Sequence, residues 1–430
     1  MSQRAFVEPA PPPRREPPLP PDVRARGRRL AIASHPAGMT YRTVYTEWVP
    51  TLALLGLGAN EAVVGLQSAF EPLGHLLQLP VLRAVGRRSK RSLLLTGQAL
   101  ALVAGLPLLA YGWLHANPGP AAIAIALASL AATTAGIAVC DTVWFPLLRS
   151  YVEPERIGRF FGTLRSGWHL TLIAYFLAAR GWIAAHPGSL APLFAVGTAA
   201  GLLRIALVAR LPERSERTGQ AIRVRDALAL LRTSPALRSY LAGVGGQGAL
   251  WTGTVPFVIV LMRRVMGMSE AQVLVATVAS YAGGLLSLYA WGRVVDRVGP
   301  ARVFRWTSLG LAATVLALVA ASEPGPFAAA WLTGFFFVAA VLRAGFGVAD
   351  THVLFQLAPD DAPASTIVVA TVASYVARGL APLAVGVVLE RALAAGAAPI
   401  AAYQTLFATS AALHALVFLP LRRFGRSADA

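Results

Sequence analysis

Several charged residues stand inside long apolar stretches of this sequence, where each needs a chemical reason. Among them are Asp141, Arg343, Asp350 and Arg378. A charged side chain at the centre of a bilayer costs at least about 2.5–3.5 kcal/mol on insertion scales, so it normally faces a partner, a ligand or a water-filled cavity. Groups of this kind can bind a charged small molecule or carry a proton.

The buried arginines are candidates for binding an anionic group. Arg343, Gly347 and Asp350 lie at positions i, i+4 and i+7 of one apolar stretch, so they share a helical face. Arg378 lies midway along the next stretch. A guanidinium suits carboxylate and phosphate groups because it offers several donors in one fixed plane. An ion pair without any ligand is the alternative explanation of these residues.

Aromatic and amide side chains near these charges are candidates for contact with the same ligand. Tyr45 and Trp48 fall on one stripe of the first apolar stretch, and Trp144 follows a buried aspartate by one turn. Gln247 and Trp251 follow three closely spaced glycines. An aromatic belt at the membrane surface, or plain helix packing, would use the same residue types. We predict a substrate site formed by Tyr45, Trp48, Trp144, Gln247, Trp251, Arg343 and Arg378.

Buried carboxyl groups are candidates for carrying a coupling proton. A carboxyl group that is withdrawn from water into a cavity binds a proton more readily than one at the surface. Glu47, Asp141 and Asp350 fit this description, and a structural pair with an arginine is the alternative for Asp141. His169 lies one turn after Arg165 and could relay a proton near neutral pH, although a simple hydrogen bond is the commoner use of such a histidine.

Membrane-spanning helices must hold these residues in place. The chain has 430 residues, of which 56% are hydrophobic and only 13% are charged. Soluble domains carry about 25% charged residues. The apolar stretches run to about 20 residues, the length that a helix needs to cross the hydrocarbon core. We predict twelve spans near residues 39–58, 61–82, 92–115, 119–148, 158–183, 190–210, 236–262, 269–291, 300–321, 326–354, 364–391 and 398–421.

Basic residues between the spans predict the orientation of the chain. Alternate loops differ sharply, because those on one side hold nearly all of the arginines. Basic loops stay in the cytoplasm, so we expect both termini in the cytoplasm and the chain in the cell inner membrane. This pattern explains the net charge of +18 without nucleic acid as a partner. The arginines on the sparsely charged side are Arg263, Arg264 and Arg391.

The sequence repeats itself at an offset of 209 residues. Asn60-Glu61-Ala62 opens the second span and Ser269-Glu270-Ala271 opens the eighth, each with a helix N-cap residue followed by an acid. Asp141-Thr142 and Asp350-Thr351 show the same offset. The shared offset indicates two six-helix bundles in the same orientation. Such repeats place a substrate site between the bundles, near the bilayer midplane.

The ends and the middle of the chain differ in composition from the spans. Prolines and arginines dominate the first residues, without the apolar run and cleavage site of a signal peptide, and this composition is typical of disordered chain. The predicted segments are a disordered cytoplasmic tail (1–38), a first six-helix bundle (39–210), a cytoplasmic linker (211–235), a second six-helix bundle (236–421) and a cytoplasmic tail (422–430).

The turn between the eighth and ninth spans carries a recognisable pattern. Its glycines permit a tight turn, and its Asp-Arg pair can latch helix ends together at the cytoplasmic side. The pattern resembles the loop signature of the major facilitator superfamily and implies a cytoplasmic gate motif. Its residues are Gly292, Asp296, Arg297, Gly299 and Arg302.

The resemblance covers about residues 38–422. The stretches 152–159 and 225–231 resemble the family's fourth-to-fifth loop and central amphipathic segment, whereas Arg83 stands where the first-half signature has an acid. The family implies an all-α integral membrane fold, with twelve transmembrane helices in two pseudo-symmetric six-helix bundles. It also implies alternating access of a binding site to the two sides of the membrane.

The predicted function is secondary active transport of a small solute. An organic anion is favoured because arginines outnumber acids among the buried charges, and protons are the expected coupling ion. The expected partners are the solute, the lipid bilayer and protons, with the chain acting as a monomer. A non-transporting membrane assembly factor or sensor of the same fold is the alternative, because the first-half signature is degenerate.

An enzyme is disfavoured by the lack of catalytic motifs. The sequence has no Gly-x-Ser-x-Gly motif and no histidine-rich loop, and Cys140 is its single cysteine. One cysteine can form neither an internal disulfide nor a cysteine metal cluster. We therefore predict no catalytic residue, no metal and no cofactor.

Overall fold

The structure is a computed structural model, and it describes residues 19–85, 88–148, 150–152, 157–213, 232–320, 325, 327–357 and 363–425. Within these residues the regular elements are helices. Nine of the described helical segments are long and apolar enough to cross a membrane. The helices of the predicted first and second spans precede these nine, and the helix of the fifth, Ile157–Ala185, lies among them, in the order that twelve spans require.

The first half contains six spans, several of which are interrupted. The first span is broken into two helices, and the second and third each pass through a short 3-10 turn. The helices of spans one to six are Pro21–Thr46 and Trp48–Gly56; Glu61–Gly74 and Gln78–Val85; Lys90–Gly105 and Tyr111–Ala116; Pro120–Leu148; Ile157–Ala185; and Ala191–Val208.

The second half repeats this arrangement with a seventh span that contains two π-helical turns. The predicted linker lies mostly outside the described residues, as do residues 1–18 of the predicted tail and the stretch 225–231. The helices of spans seven to twelve are Pro235–Tyr240 and Gly246–Val260; Glu270–Val298; Pro300–Ala320; Ala328–Leu357; Pro363–Ala394; and Pro399–Leu416.

The first span begins earlier than the sequence predicts. Its first helix starts at Pro21, a residue type suited to a helix start, and Asp22 lies in the first turn near the positive end of the helix dipole. Gly27 and Ala31 are buried, and a side chain at position 27 would overlap the ring of Tyr151. Packing against the loop after the fourth span holds this segment, so the prediction of a disordered tail is wrong from Pro21 onward.

The first span breaks at Glu47. The backbone there has φ −110° and ψ −120°, far from helical values. Pro50 causes the break, because it offers no N–H to the carbonyl oxygen of Thr46 and its ring crowds that carbonyl. The helix restarts at Trp48. Non-helical backbone at membrane depth is tolerated where it is buried in protein or lines a cavity, so this level of the first span is a candidate for function.

The two halves are joined at the side of the membrane whose loops hold few arginines, here called the arginine-poor face. Glu61, at the start of the second span, is 4% exposed. Its carboxylate accepts two hydrogen bonds of 2.9 and 3.0 Å from Nη1 of Arg264, at the end of the seventh span. The hydroxyl of Tyr403 in the twelfth span donates a third, of 3.1 Å. These contacts form the Glu61–Arg264 latch.

Glu270, which the repeat pairs with Glu61, makes the reverse connection. Its carboxylate accepts a 3.1 Å hydrogen bond from the backbone N–H of Gly188, in the loop after the fifth span. In each half, the acid at the start of the second span of that half therefore contacts the other half. The helix caps predicted at both positions are confirmed, because the side chains of Asn60 and Ser269 accept backbone hydrogen bonds in the first turns.

Spans two and eleven approach backbone to backbone just inside the latch. A carbon added at Gly386 would lie 2.7 Å from the carbonyl oxygen of Glu61 and 3.2 Å from the Cα atom of Gly65. Glycine is required at both positions, since any side chain would push the spans apart. The closure at this face therefore combines a charged latch with tight helix packing.

The predicted gate motif lies at the opposite, arginine-rich face. Gly299 has φ 79°, a left-handed conformation that suits glycine and lets the eighth span end before Pro300 begins the ninth. Asp296 and Arg297 are exposed, and in the described part of the chain neither forms an ion pair. The latch predicted at this face therefore has no ion pair within the described part of the chain.

Candidate functional site

Spans seven, ten and eleven enclose a cavity of about 150 Å³. Four of the seven predicted substrate residues and one of the three predicted proton-carrying acids line it. The seventh span reaches the cavity directly after a π-helical turn, a feature frequent at functional sites. The lining residues are Val244, Gln247, Gly248, Trp251, Arg343, Phe346, Gly347, Asp350 and Arg378.

Arg343 reaches the cavity from the tenth span without a charged partner. Its guanidinium carbon lies 4.3 Å from the centroid of the Trp251 ring, which is a cation–π contact. Among the described residues, no carboxylate lies within ion-pair distance of Arg343. The ion pair with Asp350 that the sequence left open is therefore not formed, and the N–H groups of Arg343 are available to a ligand.

Arg378 enters the cavity from the eleventh span. Its guanidinium carbon lies 4.8 Å from the centroid of the Tyr375 ring. Its Nε atom is buried and finds no hydrogen-bond partner in the part of the chain described. A buried donor left unsatisfied costs roughly 1–3 kcal/mol. A ligand that accepts a hydrogen bond from Arg378 would therefore stabilise the site.

Two further polar groups complete the cavity wall. The hydroxyl of Tyr240 donates to the carboxylate of Asp350. Gln247 pairs its Oε1 with Nδ1 of His414 at 3.1 Å, and its buried Nε2 has no partner among the described residues. The described wall carries two guanidinium groups and one carboxylate, so it has a net positive charge and an excess of donors.

The position of Arg378 depends on a missing side chain at Gly248. A methyl group there would fall 2.7 Å from Cγ and Cδ of Arg378, a distance that two carbon atoms do not tolerate. We expect Gly248→Ala to displace the guanidinium and to weaken anion binding about tenfold, the loss of one charge-assisted contact. Gly334→Ala is the matched control, because Gly334 is an exposed helical glycine outside the cavity wall and a methyl group there meets nothing within 4 Å. Calorimetric titration of both variants would check this, and equal affinities would contradict it.

A second group of charges lies in the first half and includes Glu71, which was not predicted from the sequence as a site residue. Arg42 of the first span donates to Asp141 of the fourth span and to Glu71 of the second. We call these three residues the Arg42 cluster. The side chains of Arg42, Asp141 and Glu71 are 17%, 24% and 32% exposed, so they remain partly open. One guanidinium facing two carboxylates leaves the cluster with an excess negative charge.

The signal for Glu71 was present in the sequence. It is an isolated acid inside the second apolar stretch, directly before Pro72. The arginine that it meets lies 29 residues away in the chain. The partner of Asp141 lies 99 residues away. Asp141 is therefore paired with an arginine, which was the alternative to a proton-carrying role.

Glu47 connects the two halves at the break in the first span. Its carboxylate accepts a 2.6 Å hydrogen bond from the hydroxyl of Tyr281, in the eighth span. In the described structure no arginine lies within ion-pair distance of Glu47. This acid, predicted to carry a proton, thus lies on the contact between the halves and is bound by a neutral donor.

Tyr375 of the eleventh span contacts Arg378 of the cavity and a residue of the second span. The ring of His75, one turn after Glu71, stacks on Tyr375 with 3.8 Å between ring centroids, and Arg378 lies over the same ring. Neither ring was predicted from the sequence, although both are polar groups in the middle of apolar stretches.

Two predicted substrate residues lie inside the first half instead. Tyr45 is 1% exposed; its ring packs on Phe194 and its hydroxyl bonds to Thr198 at 2.7 Å. Trp144 is 4% exposed and stacks on His35. Tyr45 thus faces the sixth span, where the bundle needs apolar volume. The predicted contact of these two residues with the cavity is not formed.

Two other residues have contacts of a different kind. Trp48 packs against Phe336 of the tenth span, with 4.5 Å between ring centroids, so it lies on the contact between the halves rather than in the cavity wall. Nδ1 of His169 meets the carbonyl oxygen of Arg165 at 2.8 Å. This contact matches the simple hydrogen bond that was the alternative to a proton relay.

Comparison with known families agrees with this architecture. The model of the Major Facilitator Superfamily matches residues 30–382. The chain therefore belongs to the Major Facilitator Superfamily, and it is a multi-pass membrane transporter rather than an enzyme. The predicted family and fold are confirmed. No curated protein matches the sequence.

Solved structures share the fold at low sequence identity. A bacterial homologue of the human lysosomal transporter Spinster, in an inward-facing and unoccupied conformation, is 16% identical with a TM-score of 0.68, over 95% of this chain and 99% of that one. A mutant of the nucleoside transporter NupG is 14% identical with a TM-score of 0.67, over 94% and 99%. A bacterial homologue of the iron transporter ferroportin, inward-facing, is 19% identical with a TM-score of 0.62, over 94% and 99%.

Proposed function

We propose that this protein is a secondary active transporter that moves a small organic anion across the cell inner membrane, coupled to protons. The observation that carries this proposal is the pair of arginines in the cavity. Arg343 and Arg378 contact aromatic rings, and among the described residues neither has a carboxylate partner. Two guanidinium groups that have no carboxylate partner among the described residues are stabilised when an anion binds between them, because each then forms a charge-assisted hydrogen bond.

The cavity suits a small anion with an apolar body. Arg343, Arg378 and Gln247 supply donors, while Trp251 and Phe346 supply apolar and aromatic surface. Binding sites for small molecules combine such surface with a few convergent polar groups. One carboxylate would neutralise the excess positive charge of the wall.

Alternating access accounts for the unequal closure of the two faces. The latch of Glu61 and Arg264 closes the arginine-poor face, whereas Asp296 and Arg297 at the arginine-rich face are exposed and form no ion pair with any described residue. With the arginine-rich loops and both termini in the cytoplasm, as the distribution of charge favours, this conformation opens inward. The chain would work as a monomer, because its two halves together form one site.

Protons are the proposed coupling ion, with Glu47, Asp141 and Asp350 as the acids that carry them. Glu47 is the strongest candidate among the three, because Tyr281 is a neutral partner and belongs to the other half. A change in its charge would therefore act on the contact between the halves. Asp141 shares Arg42, and Asp350 faces the proposed substrate.

Thermal unfolding of the purified protein in detergent would test the anion site. A suitable ligand set keeps one ring and changes only the charge: benzoate, benzyl alcohol and benzylamine, within a wider panel of anions, cations, sugars and amino acids. We expect an organic anion to raise the unfolding midpoint, by about 2.7 kcal/mol of added stability at a hundredfold excess over its dissociation constant.

The arginine variants make this result specific. Arg343→Ala and Arg378→Ala should abolish the shift, whereas Arg391→Ala should keep it, because Arg391 is an exposed arginine far from the cavity at the arginine-poor face. A shift produced by cations that survives both cavity variants would contradict the anion site. No shift with any ligand, together with a protein that copurifies stoichiometrically, would favour the assembly factor or sensor instead.

A further inference from the structure

The two groups of charges carry opposite excess. Among the described residues, the Arg42 cluster holds one guanidinium and two carboxylates, while the cavity wall holds two guanidinium groups and one carboxylate. We propose that the transported solute is a zwitterion, whose anionic group binds Arg343 and Arg378 and whose cationic group binds Glu71 and Asp141. This inference rests on the proposed function and names the substrate class of the same site.

The two groups lie close enough to bind opposite ends of one small molecule. Span two packs directly against span eleven at this level, because a carbon added at Gly379, next to Arg378, would lie 2.5 Å from Cγ of Leu73, two residues after Glu71. Tyr375 contacts Arg378 on the second-half side and His75, one turn after Glu71, on the first-half side. A solute bound to the arginines therefore has the carboxylates of the first half within its surroundings.

The carboxylates of the Arg42 cluster retain acceptor capacity. Arg42 occupies Oδ2 of Asp141 and Oε1 of Glu71, and a carboxylate can accept about four hydrogen bonds over its two oxygens. Both side chains are partly exposed, at 24% and 32%. An ammonium group bound here would donate hydrogen bonds to these carboxylates and balance the excess negative charge of the cluster.

The other end of the site has donors that await an acceptor. Gln247 is 5% exposed and lines the cavity, and in the described structure its Nε2 and the Nε of Arg378 are buried without a partner. A carboxylate group of a solute would accept from them. Asp350 is a poorer partner for the cationic end than the first-half acids, because it shares the cavity wall with Arg343 and Arg378, whose positive charges repel a cation.

Equilibrium binding to the purified full-length protein would test the inference. The probes are the ortho, meta and para isomers of (aminomethyl)benzoate, which hold an ammonium and a carboxylate at three separations on one ring. The controls are the corresponding methylbenzoates, which keep the ring and the carboxylate and lack the ammonium group. We expect at least one isomer to bind about tenfold more tightly than its methyl control, the contribution of one charge-assisted contact.

The variants assign the preference to the first half. Glu71→Gln leaves Arg42 with one carboxylate, so the preference for the zwitterion should fall to within about twofold, whereas methylbenzoate should bind as it does to the wild type. Glu71→Asp keeps the charge and should keep most of the preference. Melting curves of both variants, close to that of the wild type, would show that the fold is intact.

Three outcomes would overturn the inference. In the first, all isomers bind no more tightly than their methyl controls. In the second, the preference survives Glu71→Gln but disappears in Asp350→Asn. In either case the anion site stands if methylbenzoate binding still needs Arg343 and Arg378. In the third, neither series binds and no organic anion shifts the melting curve, which would overturn the proposed function as well.

Discussion

Replacing Glu47 by glutamine should abolish proton-driven accumulation of the substrate while leaving exchange across the membrane intact. A glutamine cannot take up or release a proton in the working range of pH. Its amide oxygen can still accept the hydrogen bond that the hydroxyl of Tyr281 now donates to the carboxylate at 2.6 Å. The contact between the halves is therefore kept, and only the charge is removed.

Proteoliposomes would separate the two activities. With an imposed pH gradient, the wild type should accumulate the ligand identified by thermal unfolding, and Glu47→Gln should stop at equilibrium. Without a gradient, both proteins should exchange labelled for unlabelled ligand, at rates that agree within about threefold. Glutamine has nearly the same shape as glutamate and position 47 lies outside the cavity wall, so we expect the affinity for the ligand to stay the same. Tyr281→Phe is the companion variant, since it removes the hydrogen bond and keeps the carboxyl group.

Variants of the other two predicted acids show which results would contradict coupling through Glu47. If Glu47→Gln accumulated substrate as well as the wild type and Asp141→Asn or Asp350→Asn did not, the proton would be carried elsewhere. If all three variants accumulated substrate normally, coupling through these acids would be wrong. Loss of exchange as well as accumulation in Glu47→Gln would point to substrate binding rather than coupling.

The fold was largely predictable because a bilayer restricts what a chain can do. Backbone polar groups must be satisfied within each span, so long apolar stretches become helices. The offset of 209 residues indicated two equivalent halves, and the family comparison confirms that architecture. The first span was placed too late, because packing of Gly27 against Tyr151 depends on a contact between segments that a single stretch of sequence does not reveal.

The site was only partly predictable, because charge partners in a helical bundle come from distant segments. The repeat places Trp251 where the first half has Arg42, and Asp350 where it has Asp141. In the first half the arginine binds the aspartate, whereas in the second an indole stands there and Arg343 stacks on it. The halves therefore differ in charge at equivalent positions. That difference, rather than the repeat itself, produces the proposed substrate site.

The aromatic stripe of the first span shows a second limit. Helical spacing correctly groups Tyr45 with its neighbours on one face, but it does not indicate what that face meets. Tyr45 packs on Phe194 within the first bundle, whereas Trp48 packs on Phe336 of the second. Of the charged residues beside them, Arg42 binds acids of its own half and Glu47 meets Tyr281 of the other. The loop arginines show the same limit, because Arg264 served only as a signal of orientation in the sequence and proves to bind Glu61 across the halves.

Glu61→Gln should open the arginine-poor face. The change removes the charge that binds Arg264, whose side chain is 35% exposed, while that of Glu61 is 5% exposed. Removing one partner of a buried, hydrogen-bonded charge pair costs 2–5 kcal/mol or more, and the exposure of Arg264 favours the lower limit. About 2 kcal/mol changes the ratio of closed to open molecules by a factor of about 30.

Distances between spin labels would measure this shift. Cysteines at Ala116 and Ala397 place one label on each half, since both residues are exposed at the arginine-poor face, Ala116 at the end of the third span and Ala397 in the loop after the eleventh. The native Cys140 is buried and would be changed to serine. We expect a short distance in the parent protein and a second, longer population in Glu61→Gln. Arg391→Gln, an exposed charge at the same face, is the control and should leave the distribution unchanged.

A double-mutant cycle would show whether the pair itself holds the face closed. Arg264→Gln should open the face as Glu61→Gln does, and the double variant should open it little further, because each single change already breaks the same contact. Additive effects would mean that the two residues act separately, which would contradict the latch. Glu270→Gln should have a smaller effect than Glu61→Gln, because across the halves Glu270 binds the neutral N–H of Gly188 rather than a guanidinium. The repeated acids would then make unequal contributions, with closure depending chiefly on the one that meets an arginine.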